Sequence, residues 1–186
     1  LKKANLPTGI VSILYGYPGT GKTASVYEIA KLTKRDVLQV DISSIQSKWV
    51  GESEKNTKAI FDEYKRACSI LKSKPILLFN EADALISKRL DVTDAVGQMN
   101  NTMQNILLEE LENFDGIFMA TTNLIDNMDD AFSRRFLNKI KFDRPTAKTR
   151  MFIWKLKLND LDDSTYTKLS TYDLSGGQIE NVSRKY

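Results

Sequence analysis

The chain of 186 residues has no histidine and a single cysteine, Cys68. The missing imidazole excludes hydrolytic triads that relay a proton through histidine, and it excludes the common zinc sites. One cysteine forms no internal disulfide; Cys68 falls on the apolar side of an expected helix and reads as a small core residue. No apolar run approaches bilayer length, and no membrane segment or secretory leader is visible. Internal repeats and low-complexity tracts are lacking too. Neither sign of charge dominates: the formal net charge is +3, too small to imply nucleic acid by itself. What remains is an ordinary globular composition, 41% hydrophobic and 27% charged, in a length that suits one good core or one domain with a small appendage. The first residue is Leu1 rather than a methionine, which points to an excised fragment; a targeting signal would then lie outside it.

Against this plain background one segment stands out. Gly16-Tyr17-Pro18-Gly19-Thr20-Gly21-Lys22-Thr23 fits the phosphate-cradling pattern G-x-x-x-x-G-K-[ST] without a mismatch. The apolar run at 10–15 reads as a buried strand leading into it, and 23–34 reads as a helix leading out, with Val26, Ile29 and Ala30 on one face. Glycines let the backbone wrap a phosphate with its N–H groups, and a helix N-terminus adds a favourable dipole. Lys22 would reach the outer phosphates, and the Thr23 hydroxyl would hold magnesium. These eight residues and Ala24 are the candidate nucleotide-binding positions. The expected ligands are ATP and Mg2+.

Short apolar runs alternate with helical patterns along the chain. Strands are expected at 10–15, 37–40, 76–79, 117–120 and 139–142, and their near-continuous apolar character suits parallel strands covered on both faces. Ile60, Phe61, Tyr64, Ala67, Cys68 and Leu71 follow helical spacing, as do Met103, Ile106, Leu107 and Leu111. The alternation predicts an α/β fold, an open parallel five-stranded sheet flanked by helices, with ligands at the carboxyl ends of the strands. Residues 87–101 are polar and weakly patterned; they read as a mobile loop, with a solvated helix start as the alternative. From Pro145 the strand signal stops. Residues 146–158 and 165–171 read as helices, and a third begins near Gly177. The expected partition is a nucleotide-binding α/β domain over 1–144 and an incomplete helical lid over 145–186.

The third strand ends in Asn80-Glu81. A nucleotide hydrolase needs one group there to orient magnesium and another to activate water. Glu81 suits the second role, as a carboxylate that accepts a proton from the attacking water. The first position usually carries aspartate. Asn80 can still accept a hydrogen bond from a magnesium-bound water, but it lacks the negative charge. Taken in order, these segments resemble the AAA+ ATPases, in particular the substrate-remodelling branch that includes the proteasomal ATPases, spastin and katanin. The resemblance runs from about residue 8 to about residue 185.

It implies roles for residues that spacing alone leaves open. Ser47-Lys48-Trp49-Val50-Gly51-Glu52 resembles the branch's first pore loop, where an aromatic and its apolar neighbour grip an extended polypeptide in a ring's channel; Trp49 and Val50 would do so here. Asn123, after the fourth strand, resembles sensor 1 and would position the attacking water or touch the γ-phosphate. Phe132-Ser133-Arg134-Arg135-Phe136 resembles the arginine-finger segment, in which Arg134 or Arg135 acts on a neighbouring subunit's nucleotide. Leu174-Ser175-Gly176-Gly177 resembles the sensor 2 region, with Gly176 and Gly177 letting backbone approach the nucleotide. Thr8-Gly9-Ile10 falls where the family's backbone meets adenine. Tyr17 stands where the family commonly has proline, a change that a loop binding through backbone N–H groups tolerates. Asn80 is the larger departure.

The leading reading is an ATPase that works on protein substrates as a homo-oligomeric ring, expected to be a hexamer and cytoplasmic. A second reading is a nucleotide-dependent switch or scaffold with little hydrolysis, and Asn80 is its motive. Nucleic-acid remodelling has less support, because the sequence offers no basic stripe.

Overall fold

The computed structural model describes residues 9–42, 53–88, 95–124 and 127–186. The chain opens with β1 (Ile10–Gly16), α1 (Lys22–Thr33) and β2 (Val37–Asp41), followed by α2 (Ser53–Ile70) and β3 (Ile76–Asn80). Then come α3 (Asp83–Ile86), α4 (Ala95–Glu112), β4 (Ile117–Thr122), α5 (Asp130–Arg135) and β5 (Asn138–Phe142). Three helices close it: α6 (Ala147–Lys157), α7 (Asp163–Ser170) and α8 (Gly176–Ser183).

The strands form one five-stranded sheet in the order β2-β3-β4-β1-β5. β2 with β3, β3 with β4 and β4 with β1 pair in parallel. The expected fold class, a parallel α/β sheet flanked by helices with a small helical C-terminal region, is the one found. The interior strand β3 shows why its sequence reads as an unbroken apolar run: Ile76, Leu77, Leu78 and Phe79 are all buried, so neither face tolerates a polar side chain. The edge strand β5 is the opposite case. It is exposed along almost its whole length and carries Lys139 and Lys141, charges that discourage pairing with another sheet.

The chain divides into two compact units, one comprising 1–15 and 23–140, the other 16–22 and 141–186. The first is organised around an aromatic cluster. Phe61 and Tyr64 of α2 face Phe114, Phe79 faces Phe118, and ring centroids lie 4.9–6.2 Å apart in tilted and edge-on pairs. Leu107 and Leu111 of α4 complete this core. The second unit has its own small core of Trp154, Tyr166 and Ile179, one residue from each of its three helices.

Residues 95–101 are the first two turns of α4, so the loop reading of 87–101 is overturned over that stretch and the alternative, a helix start, holds there. Gln104, buried in the same helix, donates from Nε2 to the Ser87 carbonyl at 3.0 Å and ties α4 to the end of α3. Among the described residues no helix is long and apolar enough to cross a membrane.

Candidate active site

In a parallel sheet every strand delivers its last residue to the same edge. Here that edge receives Asn80 from β3 and Thr121 and Thr122 from β4. Thr23, in the first turn of α1, meets them. Its hydroxyl donates to Asn80 Oδ1 at 2.7 Å. The Thr121 hydroxyl donates to the same oxygen at 3.0 Å, and in turn accepts the Glu81 backbone N–H at 3.0 Å. Glu81 is exposed and sits at φ 52°. That left-handed conformation costs about 1–2 kcal/mol for a residue with a Cβ. It turns the chain sharply at the strand end, and the glutamate stands free of the buried strand that precedes it.

Asp83 braces the neighbouring loop. Its carboxylate accepts from the Thr122 hydroxyl and from the Asn123 backbone N–H, the latter at 3.0 Å. Thr122 Oγ1 also accepts the Leu124 N–H at 3.0 Å. The backbone of Asn123 is therefore fixed to the segment that carries Glu81, and its side chain lies at the exposed end of β4. Sequence reasoning missed Asp83, Thr121 and also Asp41, which the strand register sets beside Asn80. The spacing Glu81-Ala82-Asp83 and the polar run Thr121-Thr122-Asn123 were the available signals. Neither gains a role until β3 and β4 are placed side by side.

The glycine loop belongs to the second unit. Its shape requires its glycines: at Gly16, φ is 132° and a Cβ would lie 2.1 Å from the Phe142 carbonyl oxygen. Lys22 is buried, and its ammonium group donates to the Gly16 and Tyr17 carbonyls at 2.8 Å each, closing the loop upon itself. The Thr20 hydroxyl donates to the Tyr17 carbonyl at 2.7 Å. Gly19, at φ 71°, accepts the Gly177 N–H at 2.8 Å through its carbonyl, and a Cβ on Gly177 would stand 3.1 Å from the Gly19 Cα. The paired glycines at the start of α8 thus let loop and helix backbones touch. Ser175 caps that helix, its hydroxyl accepting the Gln178 N–H while Gln178 Oε1 accepts the Ser175 N–H. A cavity of about 380 Å³ lies alongside, lined by Tyr17, Gly19, Arg144, Gln178 and Arg184 among others. The Arg144 guanidinium sits 5.0 Å above the exposed Tyr17 ring. Pro18 and Ala24 are exposed, and Gly21 is left-handed at φ 95°.

Arg134 and Arg135 end α5. Arg134 is exposed; Arg135 is half-buried and reaches Glu112 at 3.4 Å. Trp49, Val50 and Thr8 lie outside the described residues.

The chemistry of these donors fits a phosphate and a hard divalent cation. Positive-φ glycines present backbone N–H groups, as an anion requires. Thr23 and Asn80 are oxygen donors, and magnesium characteristically takes few protein ligands and keeps water for the rest. Among the described residues no three histidine, cysteine, aspartate or glutamate side chains gather into a metal-holding group.

Residues 12–144 match the family model of the ATPase family associated with various cellular activities (AAA). An ATP-dependent zinc metalloprotease FtsH of Malacoplasma penetrans is 34% identical over 96% of this chain, which corresponds to 22% of that protein. A proteasome-activating nucleotidase of Methanocella arvoryzae is 32% identical over 95% of this chain and 43% of its own length. A cell division cycle protein 48 homolog of Archaeoglobus fulgidus is 31% identical over 96% of this chain and 25% of its length. The chain spans less than half of each of these relatives.

Proposed function

This chain belongs to the AAA family of ATPases, and from that premise we propose that it binds ATP and Mg2+ through its glycine loop, hydrolyses ATP with Glu81, and acts on polypeptides as a homo-oligomeric ring. The observation that carries the reading is the group Thr23, Asn80 and Thr121, hydrogen-bonded together at the strand ends directly before the outward-turned Glu81.

Gly16 to Thr23 and Ala24 hold the triphosphate, and Gly177 borders the same loop. Lys22 exchanges the two loop carbonyls for phosphate oxygens. A bound magnesium ion would supply positive charge that offsets that of those oxygens. Thr23 would hold the cation through its hydroxyl oxygen, and Asn80 would support it through water. Glu81 takes the proton of the attacking water, and Asn123 orients that water. Arg134 or Arg135 of one protomer stabilises charge on the nucleotide of the next, so the site is completed by assembly. Trp49 and Val50 grip the polypeptide. A hexameric ring of the remodelling branch, the partition at 145 into nucleotide domain and lid, and a cytoplasmic setting belong to this proposal. The relatives include an ATP-dependent protease and a proteasome-activating nucleotidase, which supports a polypeptide as substrate.

A second reading, a nucleotide switch with little hydrolysis, draws on the neutral amide of Asn80 in the place of a carboxylate. Multiple-turnover phosphate release at a protein concentration that sustains oligomers separates the two. Steady turnover that Glu81→Gln abolishes, with ATP affinity retained and Lys22→Ala losing that affinity, is the expected result. Tight ATP binding without turnover would establish the switch. No ATP affinity, or affinity indifferent to Lys22→Ala, would overturn both.

A further inference from the structure

The hydrogen bonds at the strand ends have a direction, and it starts from a donor that cannot reverse. The Glu81 backbone N–H can only donate; it donates to Thr121 Oγ1 at 3.0 Å. That N–H takes one of the two Thr121 Oγ1 lone pairs, and the hydroxyl gives its one proton to Asn80 Oδ1, 3.0 Å away. The Thr23 hydroxyl donates its proton to the same oxygen from the other side at 2.7 Å. Two hydroxyls thus converge on one amide oxygen, in a chain of donors that polarise one another.

This matters because an amide has two unlike ends. If Asn80 were rotated by half a turn, its Nδ2 would face the two hydroxyls and compete for a lone pair of Thr23, while Thr121 Oγ1, already accepting from Glu81, would face a second N–H donor and its own proton would lose its acceptor. The hydroxyl's lone pairs are what a divalent cation takes from a threonine. With the oxygen facing Thr23, the hydroxyl proton is occupied and the lone pairs are free to point away from the strand. A carboxylate at position 80 would accept in either orientation and would need nothing to choose between them. Asparagine needs an orienter, and Thr121 is placed to be one.

We infer that Thr121 is a positioning residue for the cation: through its hydroxyl it fixes the Asn80 amide with the oxygen toward Thr23, and so replaces by orientation part of what is lost with the carboxylate charge. The same hydroxyl accepts the N–H of the left-handed Glu81, so one side chain sets both the cation-facing and the water-facing residue. The inference rests on the proposed nucleotide site and adds to it a dependence on the pair 80 and 121.

The test is a double-mutant cycle read by equilibrium affinity for a fluorescent ATP analogue as a function of Mg2+, with phosphate release and thermal melting measured in parallel. Thr121→Val removes the hydroxyl at nearly constant shape. In the Asn80 background it is expected to raise the half-saturating Mg2+ by about 5-fold, the weight of one net hydrogen bond. Thr121→Ser keeps the hydroxyl and is expected to keep the magnesium requirement. In the Asn80→Asp background Thr121→Val is expected to shift that requirement by less than about 2-fold, because the carboxylate needs no orienter. An equal shift in both backgrounds would overturn the inference and assign Thr121 to the Glu81 backbone alone; no shift in either would overturn it as well. If Thr121→Val melts too low to be assayed, Thr121→Ala carries the same expectations. Failure of the nucleotide site itself is read separately, as binding that is indifferent to Lys22→Ala.

Discussion

Tyr64 holds two backbone groups at once. Its hydroxyl donates to the Pro75 carbonyl and accepts the Ile117 N–H, both at 3.0 Å, and so pins the starts of β3 and β4 to α2. Burial, the largest influence, pushes its ionisation above the ordinary tyrosine range. Gly116 belongs to the same arrangement, since a Cβ there would lie 2.3 Å from the Tyr64 oxygen. Tyr64→Phe would keep the ring against Phe114, 5.1 Å away between centroids, but would leave the Pro75 carbonyl and Ile117 N–H without that partner. A loss of about 1–3 kcal/mol in urea unfolding is expected. A change below a few tenths would mean that water replaces the hydroxyl.

Among elements, those that announce themselves in sequence are the ones whose constraint is local. The glycine loop was legible because each positive-φ position demands glycine whatever the rest of the chain does, and β3 was legible because burial on both faces removes polar residues from it. The helix from Ala95 was ambiguous for the converse reason: its first turns, rich in Gln and Asn, carry no apolar period, and the helix is fixed by its later residues Met103, Leu107 and Leu111 in the core. Thr121 and Asp83 were invisible as site residues because their partners come from another strand. The C-terminal helices show how local signals can suffice. Asp162 caps α7 with its carboxylate, accepting from the Ser164 hydroxyl and from the hydroxyl and N–H of Thr165. The Ser164 bond first, and then those of Thr165, hold its carboxyl well below the ordinary carboxylate range. The sign follows: the cap's contribution is complete above the ordinary aspartate pKa and is lost as pH falls toward the depressed value in the folded helix. Asp162→Ala is therefore expected to lower the melting temperature at neutral pH and to narrow the difference from the unaltered protein below about pH 3. A difference that grows on acidification would contradict the capping role.

For the whole molecule, each unit has a core of its own among the described residues, so each holds itself together by its own apolar contacts. The chain as folded keeps Arg135 against its own Glu112, in an exposed pair of the kind worth about 0–1 kcal/mol. In the proposed assembly, exchanging so weak a hold for a neighbour's phosphate would cost little. The proposed catalysis across protomers then requires that turnover per protomer rise with protein concentration, and that Arg135→Ala abolish turnover while leaving ATP affinity intact. Turnover per protomer that is flat across the range over which sedimentation reports assembly would remove the arginines from the chemistry.

The bond from the Gly177 amide to the Gly19 carbonyl joins residues far apart in the sequence. A ribosome delivers Gly19 well before Gly177. Until α8 is made the loop therefore waits for the backbone that will buttress it, and a nascent chain halted before α8 carries the glycine motif in full while lacking one of the contacts that shape it.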